Sequence, residues 1–202
     1  MAAVMELETT PASVTMGARV EGIDLAGGVS TETFEQLHTL LLEHHLLVLP
    51  AQALSAAELE HFGRLWGDLL IHPAAGRHRD TDYVQRLAGK DGMFRFFPGT
   101  HPFGGGWHSD MTWHPTPPVI TALHAQRMPS AGGNTIFANQ HVAYDTLDEE
   151  TKAQIDGLTA FHSGKVFGPN VPDSVHPVVR THDESGRKAL FVNPNFTKHV
   201  EG

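Results

Sequence analysis

The stretch Trp107-His108-Ser109-Asp110 sets an imidazole and a carboxylate two positions apart. On an extended segment residues i and i+2 face the same side. His108 and Asp110 are thereby placed to offer a nitrogen and an oxygen to one metal ion. Two such ligands and a distant His make the 2-His-1-carboxylate facial triad, which occupies one face of an octahedral iron(II) and leaves the other open. The pattern alone is weak, because His78-Arg79-Asp80 repeats it and His199-Val200-Glu201 comes close. His78 falls in a polar turn and His199 near the end of the sequence, where a deep pocket is hard to build. The alternative for His108 and Asp110 is a hydrogen-bonded pair in a turn.

Composition narrows the chemistry around that motif. The 202 residues contain no Cys, which removes disulfides, thiolate catalysis and Cys-ligated zinc or iron–sulfur sites. The 15 His outnumber the 14 Lys plus Arg, so imidazole chemistry comes first. A formal charge of −9 argues against a general nucleic-acid binder. Met1 to Thr10 lacks the basic and apolar regions of a signal peptide, and no apolar run reaches the length of a membrane span. The expected location is cytoplasmic, and the expected organisation is one domain over residues 1–202.

The elements follow from local signals. Gly17 to Leu25 reads as a strand. Ser30 caps a predicted helix over Thr31–His45 with Phe34, Leu37, Leu40 and Leu41 on one stripe. Leu46–Leu49 reads as a short strand stopped by Pro50. Ser55 and Glu58 form a capping-box pattern for a second helix with Leu59, Phe62, Leu65 and Trp66 on its apolar face. From Ile71 to Gly106 the chain is loop-rich, with an aromatic cluster at Phe94–Phe97 and a flexible Gly104-Gly105-Gly106. Strands are expected at Val119–Gln126 and Thr135–Phe137. A helical stretch over Gln140–Ile155 should break near Leu147-Asp148. Val178–Thr181 and Lys188–Val192 flank Asp183–Gly186 as a hairpin. Early helices and later short strands predict a mainly β core with helices outside.

Several ordered blocks carry a resemblance. They are Gly17-Ala18-Arg19-Val20-Glu21-Gly22-Ile23-Asp24-Leu25, Ile71-His72-Pro73, Trp107-His108-Ser109-Asp110 and Ala131-Gly132-Gly133-Asn134-Thr135. His176-Pro177-Val178-Val179-Arg180-Thr181-His182 and Ala189-Leu190-Phe191-Val192-Asn193 complete the set. In order and text the chain resembles the taurine dioxygenase and 2,4-dichlorophenoxyacetate dioxygenase family of iron(II)- and 2-oxoglutarate-dependent enzymes. The resemblance implies a double-stranded β-helix, or jelly roll, and hydroxylation of a small, anionic organic substrate by O2 with release of succinate and CO2. It gives His108 and Asp110 the first two metal-ligand places. Thr135 matches the hydroxyl that binds 2-oxoglutarate, where a hydroxyl donor helps an Arg hold the distal carboxylate. Its bland reading is an ordinary strand threonine. His72 matches a position that contacts the acidic group of the substrate, and its bland reading is a turn histidine before Pro73. A homo-oligomer is compatible with the resemblance.

Departures from the family pattern matter too. Ala75 stands where taurine dioxygenase has a tyrosine, and an asparagine upstream of Trp107 is replaced within Gly104–Gly106, which argues against taurine itself. The family's distal His and its 2-oxoglutarate-binding Arg lie well beyond the Ala-Leu-Phe-Val-Asn block, and neither follows Val192 here. The sequence is therefore expected to be a truncated domain that lacks the last strands of the β-helix. A degenerate, non-catalytic jelly-roll binding protein is one alternative. A zinc hydrolase built from His108, Asp110 and His114 or His124 is the other, although no His-Glu-x-x-His pattern supports it.

Overall fold

A computed structural model describes residues 7–73, 77–86, 106–132 and 134–202. The cluster Phe94–Phe97, the glycines Gly104, Gly105 and Gly133, and Ala75 lie outside these residues. The chain divides into two compact units. The first holds Met1–Leu69, His78–Val84 and Ala122–Asn139, and the second Leu70–Arg77, Gln85–Thr121 and Gln140–Gly202.

In the first unit, β1 (Glu8–Pro11) runs antiparallel to β2 (Ala18–Glu21), which runs parallel to β3 (Leu47–Val48). Alternation in β2 turns Ala18 and Val20 inward and leaves Arg19 and Glu21 outside, paired at 2.6 Å. Helix α1 (Thr31–His44) starts where Ser30 Oγ accepts the Thr33 N–H. It stops at His45, whose φ of +64° turns its N–H back to the Leu41 carbonyl. Helix α2 (Ala56–Arg64) carries the expected capping box: Glu58 N–H reaches Ser55 Oγ at 3.2 Å, and Ser55 N–H reaches the Glu58 carboxylate at 2.7 Å. Leu7, Val20, Leu25, Leu37, Leu54 and Phe62 form the core, with Trp66 edge-on to Phe34 and Phe62. Burial of each such side chain stabilises the unit by about 1.5–3 kcal/mol. Strands β4 (Arg77–His78) and β5 (Thr81–Gln85) pair with each other.

Two expected strands are not strands. Val119–Gln126 and Thr135–Phe137 run outside every sheet. A strand needs a neighbour's ladder of backbone hydrogen bonds, and among the described residues neither segment has one. Within the first unit the stretch is tied down by side chains instead. His124 Nε2–H donates to the Gln52 carbonyl at 3.0 Å, and the Gln126 amide to that of Leu54 at 3.4 Å. Leu123, Ile136 and Phe137 stay exposed.

The second unit opens with α3 (Gln140–Asp145) and α4 (Glu149–Ile155). The break between them is where the sequence put it. Asp148 is extended, and its carboxylate accepts the Thr151 N–H at 2.7 Å, starting a new helix. Strand β6 (Thr159–Ser163) lies between β7 (Asp173–Pro177) and β10 (Thr197–Glu201), both antiparallel to it. A short 3-10 turn, Lys165–Phe167, links β6 toward β7. β8 (Val179–Thr181) and β9 (Lys188–Leu190) form the expected hairpin, closed by His182 N–H to the Arg187 carbonyl at 2.8 Å. Its core is Met111, Trp113, Val171 and Phe196, with Phe167 against them. No described helix is long and apolar enough to cross a membrane.

Candidate metal centre

Residues 106–114 run through the second unit as an irregular segment, not a sheet strand. Met111, with φ +50°, turns the chain just after Asp110, and the His114 N–H closes the turn on the Met111 carbonyl at 2.8 Å. Within that turn Thr112 and Trp113 are fully buried, while His108 and Asp110 stay partly exposed. Sheet β6–β7 receives the buried part. Ser174 Oγ donates to the Trp113 carbonyl at 2.8 Å, and His176 Nε2–H to the His114 carbonyl at 3.0 Å.

The two side chains of the motif converge. His108 Nε2 lies 3.2 Å from Asp110 Oδ1. Adjacent corners of an octahedron with metal–ligand distances of about 2.1 Å are about 3.0 Å apart, so the pair fits two neighbouring positions on one ion. The outer atoms are already committed. His108 Nδ1–H donates to the Gly106 carbonyl at 2.9 Å, which leaves the Nε2 lone pair for a metal. Asp110 Oδ2 accepts the Thr121 hydroxyl at 2.8 Å, which leaves Oδ1 for the same ion. Without an ion the pair is a charge-assisted contact, and each group shifts accordingly. Contact with Asp110 raises the His108 imidazole above its ordinary value, against a smaller opposing effect of burial. Contact with His108, aided by Thr121, lowers the Asp110 carboxyl, also against burial.

His72 belongs to the same unit. Its ring stands edge-on to Phe167 at 4.6 Å and to Trp113 at 5.8 Å. Burial lowers its imidazole, and the Asp110 charge offsets part of that. Thr135 belongs to the first unit and is exposed on an extended segment. The rival ligands are engaged elsewhere: His114 Nδ1 faces the backbone and hydroxyl of Thr116, and His124 is held by Gln52 in the first unit. His78 and Asp80 form an exposed turn pair at 3.5 Å, and His199 contacts Glu201 at 3.1 Å on β10. Among the described residues no group of three His, Asp or Glu side chains could hold a metal. Sequence reasoning missed Gly106 and Thr121, the hydrogen-bond partners of His108 and Asp110. No local signal marks a carbonyl or a hydroxyl for such a role.

Comparison with known proteins matches nearly the whole chain to one family. Residues 8–202 match the family model described as taurine catabolism dioxygenase TauD, TfdA family. An alpha-ketoglutarate-dependent sulfate ester dioxygenase of Pseudomonas putida is 28% identical, the match covering 98% of this chain and 69% of the relative. An (S)-phenoxypropionate/alpha-ketoglutarate-dioxygenase of Sphingobium herbicidovorans is 32% identical, over 92% of this chain and 70% of the relative. The crystal structure of a taurine dioxygenase from Burkholderia xenovorans superimposes with a TM-score of 0.78 at 28% identity, covering 97% of this chain and 66% of that one.

Proposed function

The chain belongs to the TauD/TfdA dioxygenase family and has its jelly-roll fold, and from that premise we propose that it acts as an iron(II)- and 2-oxoglutarate-dependent dioxygenase on a small anionic organic substrate. Sulfonates, sulfate esters and aryloxy carboxylates are the substrate classes that its relatives' names suggest. The observation that carries the reading is the convergence of His108 Nε2 and Asp110 Oδ1 at 3.2 Å, with the remaining polar atom of each side chain already hydrogen-bonded. When bound, iron(II) with 2-oxoglutarate and O2 supplies the oxidising power, and 2-oxoglutarate leaves as succinate and CO2 while the substrate is hydroxylated.

The chain's own residues bind and orient. His108 and Asp110 are two of the protein ligands. Thr135 is the candidate, by its match to the family pattern, for the hydroxyl that binds 2-oxoglutarate. His72 meets the anionic group of the substrate. Burial lowers its imidazole in the free chain, which favours a neutral N–H donor there. Trp113, Phe167 and Phe196 give that end of the second unit an apolar wall that excludes water.

The test is anaerobic titration of the chain with Fe(II), with and without 2-oxoglutarate, followed by equilibrium dialysis. With two protein ligands the chain should bind iron weakly, and His108→Ala and Asp110→Ala should each bind less. Equal retention by all three proteins refutes the assignment. Zinc retention with no 2-oxoglutarate-dependent O2 uptake on a panel of sulfonates, sulfate esters and aryloxy acids would favour the hydrolase reading instead.

A further inference from the structure

Two asparagines from one turn grip the metal-binding motif on both sides. Upstream, Asn195 Nδ2 donates to the Gly106 carbonyl at 3.2 Å, the same oxygen that accepts His108 Nδ1–H. Downstream, Asn193 Nδ2 donates to Thr112 Oγ1 at 3.1 Å, two residues past Asp110. Thr112 Oγ1 also meets His162 Nδ1 of β6 at 3.0 Å. Between the asparagines and β10, Phe196 sets its ring edge-on to that of His108 at 6.0 Å. The turn is braced without help from Asn195. Phe196 N–H donates to Asn193 Oδ1 at 2.9 Å, Thr197 N–H to the Asn193 carbonyl at 3.1 Å, and Ser163 N–H to the Phe196 carbonyl at 2.9 Å.

We propose that Asn195 is a positioning residue for the metal centre, fixing the Gly106 carbonyl so that His108 presents Nε2 as a bare lone pair. The proposal rests on the reading of His108 and Asp110 as metal ligands. A carbonyl oxygen has two lone pairs, and here Asn195 takes one and His108 the other. With the oxygen held from one side, the imidazole that donates to it has a fixed ring plane and a fixed tautomer. Released, the ring is free to carry its proton on Nε2, the form that cannot ligate through that nitrogen. The rest of the Asn195 amide points to the same role. Its Oδ1 is buried and has no partner among the described residues. Asn193, which holds the turn, uses both ends of its amide. Among the described residues the Asn195 amide uses only its donor, and only toward Gly106.

The experiment compares the full chain with Asn195→Asp, Asn195→Ala and His108→Ala. Asp keeps the shape but turns a repelling oxygen on Gly106, and Ala removes the donor without adding charge, so one reports if the other fails to fold. The first readout is the 15N shifts of the His108 ring with diamagnetic Zn(II) added in place of iron(II). The unsubstituted chain should show Nε2 bound to the ion and the proton on Nδ1, and the Asn195 variants a mixture or the reverse. The second readout is anaerobic Fe(II) affinity, which should fall about 10–100-fold in the Asn195 variants at unchanged far-ultraviolet circular dichroism. An unchanged tautomer and unchanged affinity in a folded Asn195 variant overturn the proposal, while iron loss in His108→Ala leaves the metal reading standing. Equal Fe(II) binding by the chain and His108→Ala, or none by the chain, overturns that reading and this proposal with it.

Discussion

His162 should make the second unit acid-sensitive. Its side chain is fully buried between β7 and β10, with Nδ1 against Thr112 and Nε2 without a partner among the described residues. His176, 5.6 Å away across the sheet, is the titratable group that faces it. Burial, with a smaller contribution from His176, pushes the His162 imidazole down from 6.5 to about 4. The unfolded chain takes up a proton near pH 6.5 and the native chain does not, so between pH 6.5 and about 4 the unfolded state binds more protons. Stability therefore falls as the solution is acidified. Each pH unit costs at most about 1.4 kcal/mol, and the window as a whole costs about 3 kcal/mol before both states are protonated. Above pH 7 the group contributes no slope. Urea unfolding followed by Trp113 fluorescence, at steps from pH 7.5 to 4, measures the effect against His162→Gln, which keeps a polar atom toward Thr112 but does not titrate. The difference between the two curves should grow steadily below pH 6.5. Parallel curves would refute the reasoning.

Gly164 lies where a Cβ would stand 2.5 Å from Val171 Cγ1, 2.7 Å from Trp113 Cδ2 and 2.9 Å from the Pro172 carbonyl. Gly164→Ala should cost about 1–3 kcal/mol in urea unfolding and shift the Trp113 emission, because buried side chains and backbone must both give way. Ser55→Ala removes the capping-box hydroxyl of α2 and should cost about 1 kcal/mol, read as a lower urea midpoint with the slope unchanged.

Elements announced by local chemistry were readable from the text. Ser30 and Ser55 cap their helices, Asp148 divides α3 from α4, and Asp183–Gly186 closes the β8–β9 hairpin as expected. Elements whose existence depends on a distant partner were not. β10 went unseen because its partner β6 lies far back in the chain, and β1, β6 and β7, which pair across shorter connections, lack a clear apolar–polar alternation. The converse error has the same cause. Val119–Gln126 and Thr135–Phe137 have strand-like text but no ladder among the described residues. At the site, His108 and Asp110 were legible because their spacing alone implies convergence, although the backbone that brings them together is a turn and not a strand. Family membership was legible in the ordered blocks. Gly106, Thr121 and Asn195 were not, because a backbone carbonyl has no letter in the sequence, and the other two reach the motif from 11 and 89 positions away along the chain.

Met111 limits which sequences can occupy this corner. It sits in the left-handed region, at φ +50°, immediately after Asp110 and with its side chain in the core. A β-branched residue in that conformation meets its own backbone, and a glycine would ease the bend but vacate the space the thioether fills. The tolerated alphabet at this single site is thus short: unbranched, apolar and long, with asparagine as the polar limit. A saturation library at position 111 would expose that bottleneck as a fitness trough for Val, Ile and Thr, even though all three are welcome in most cores.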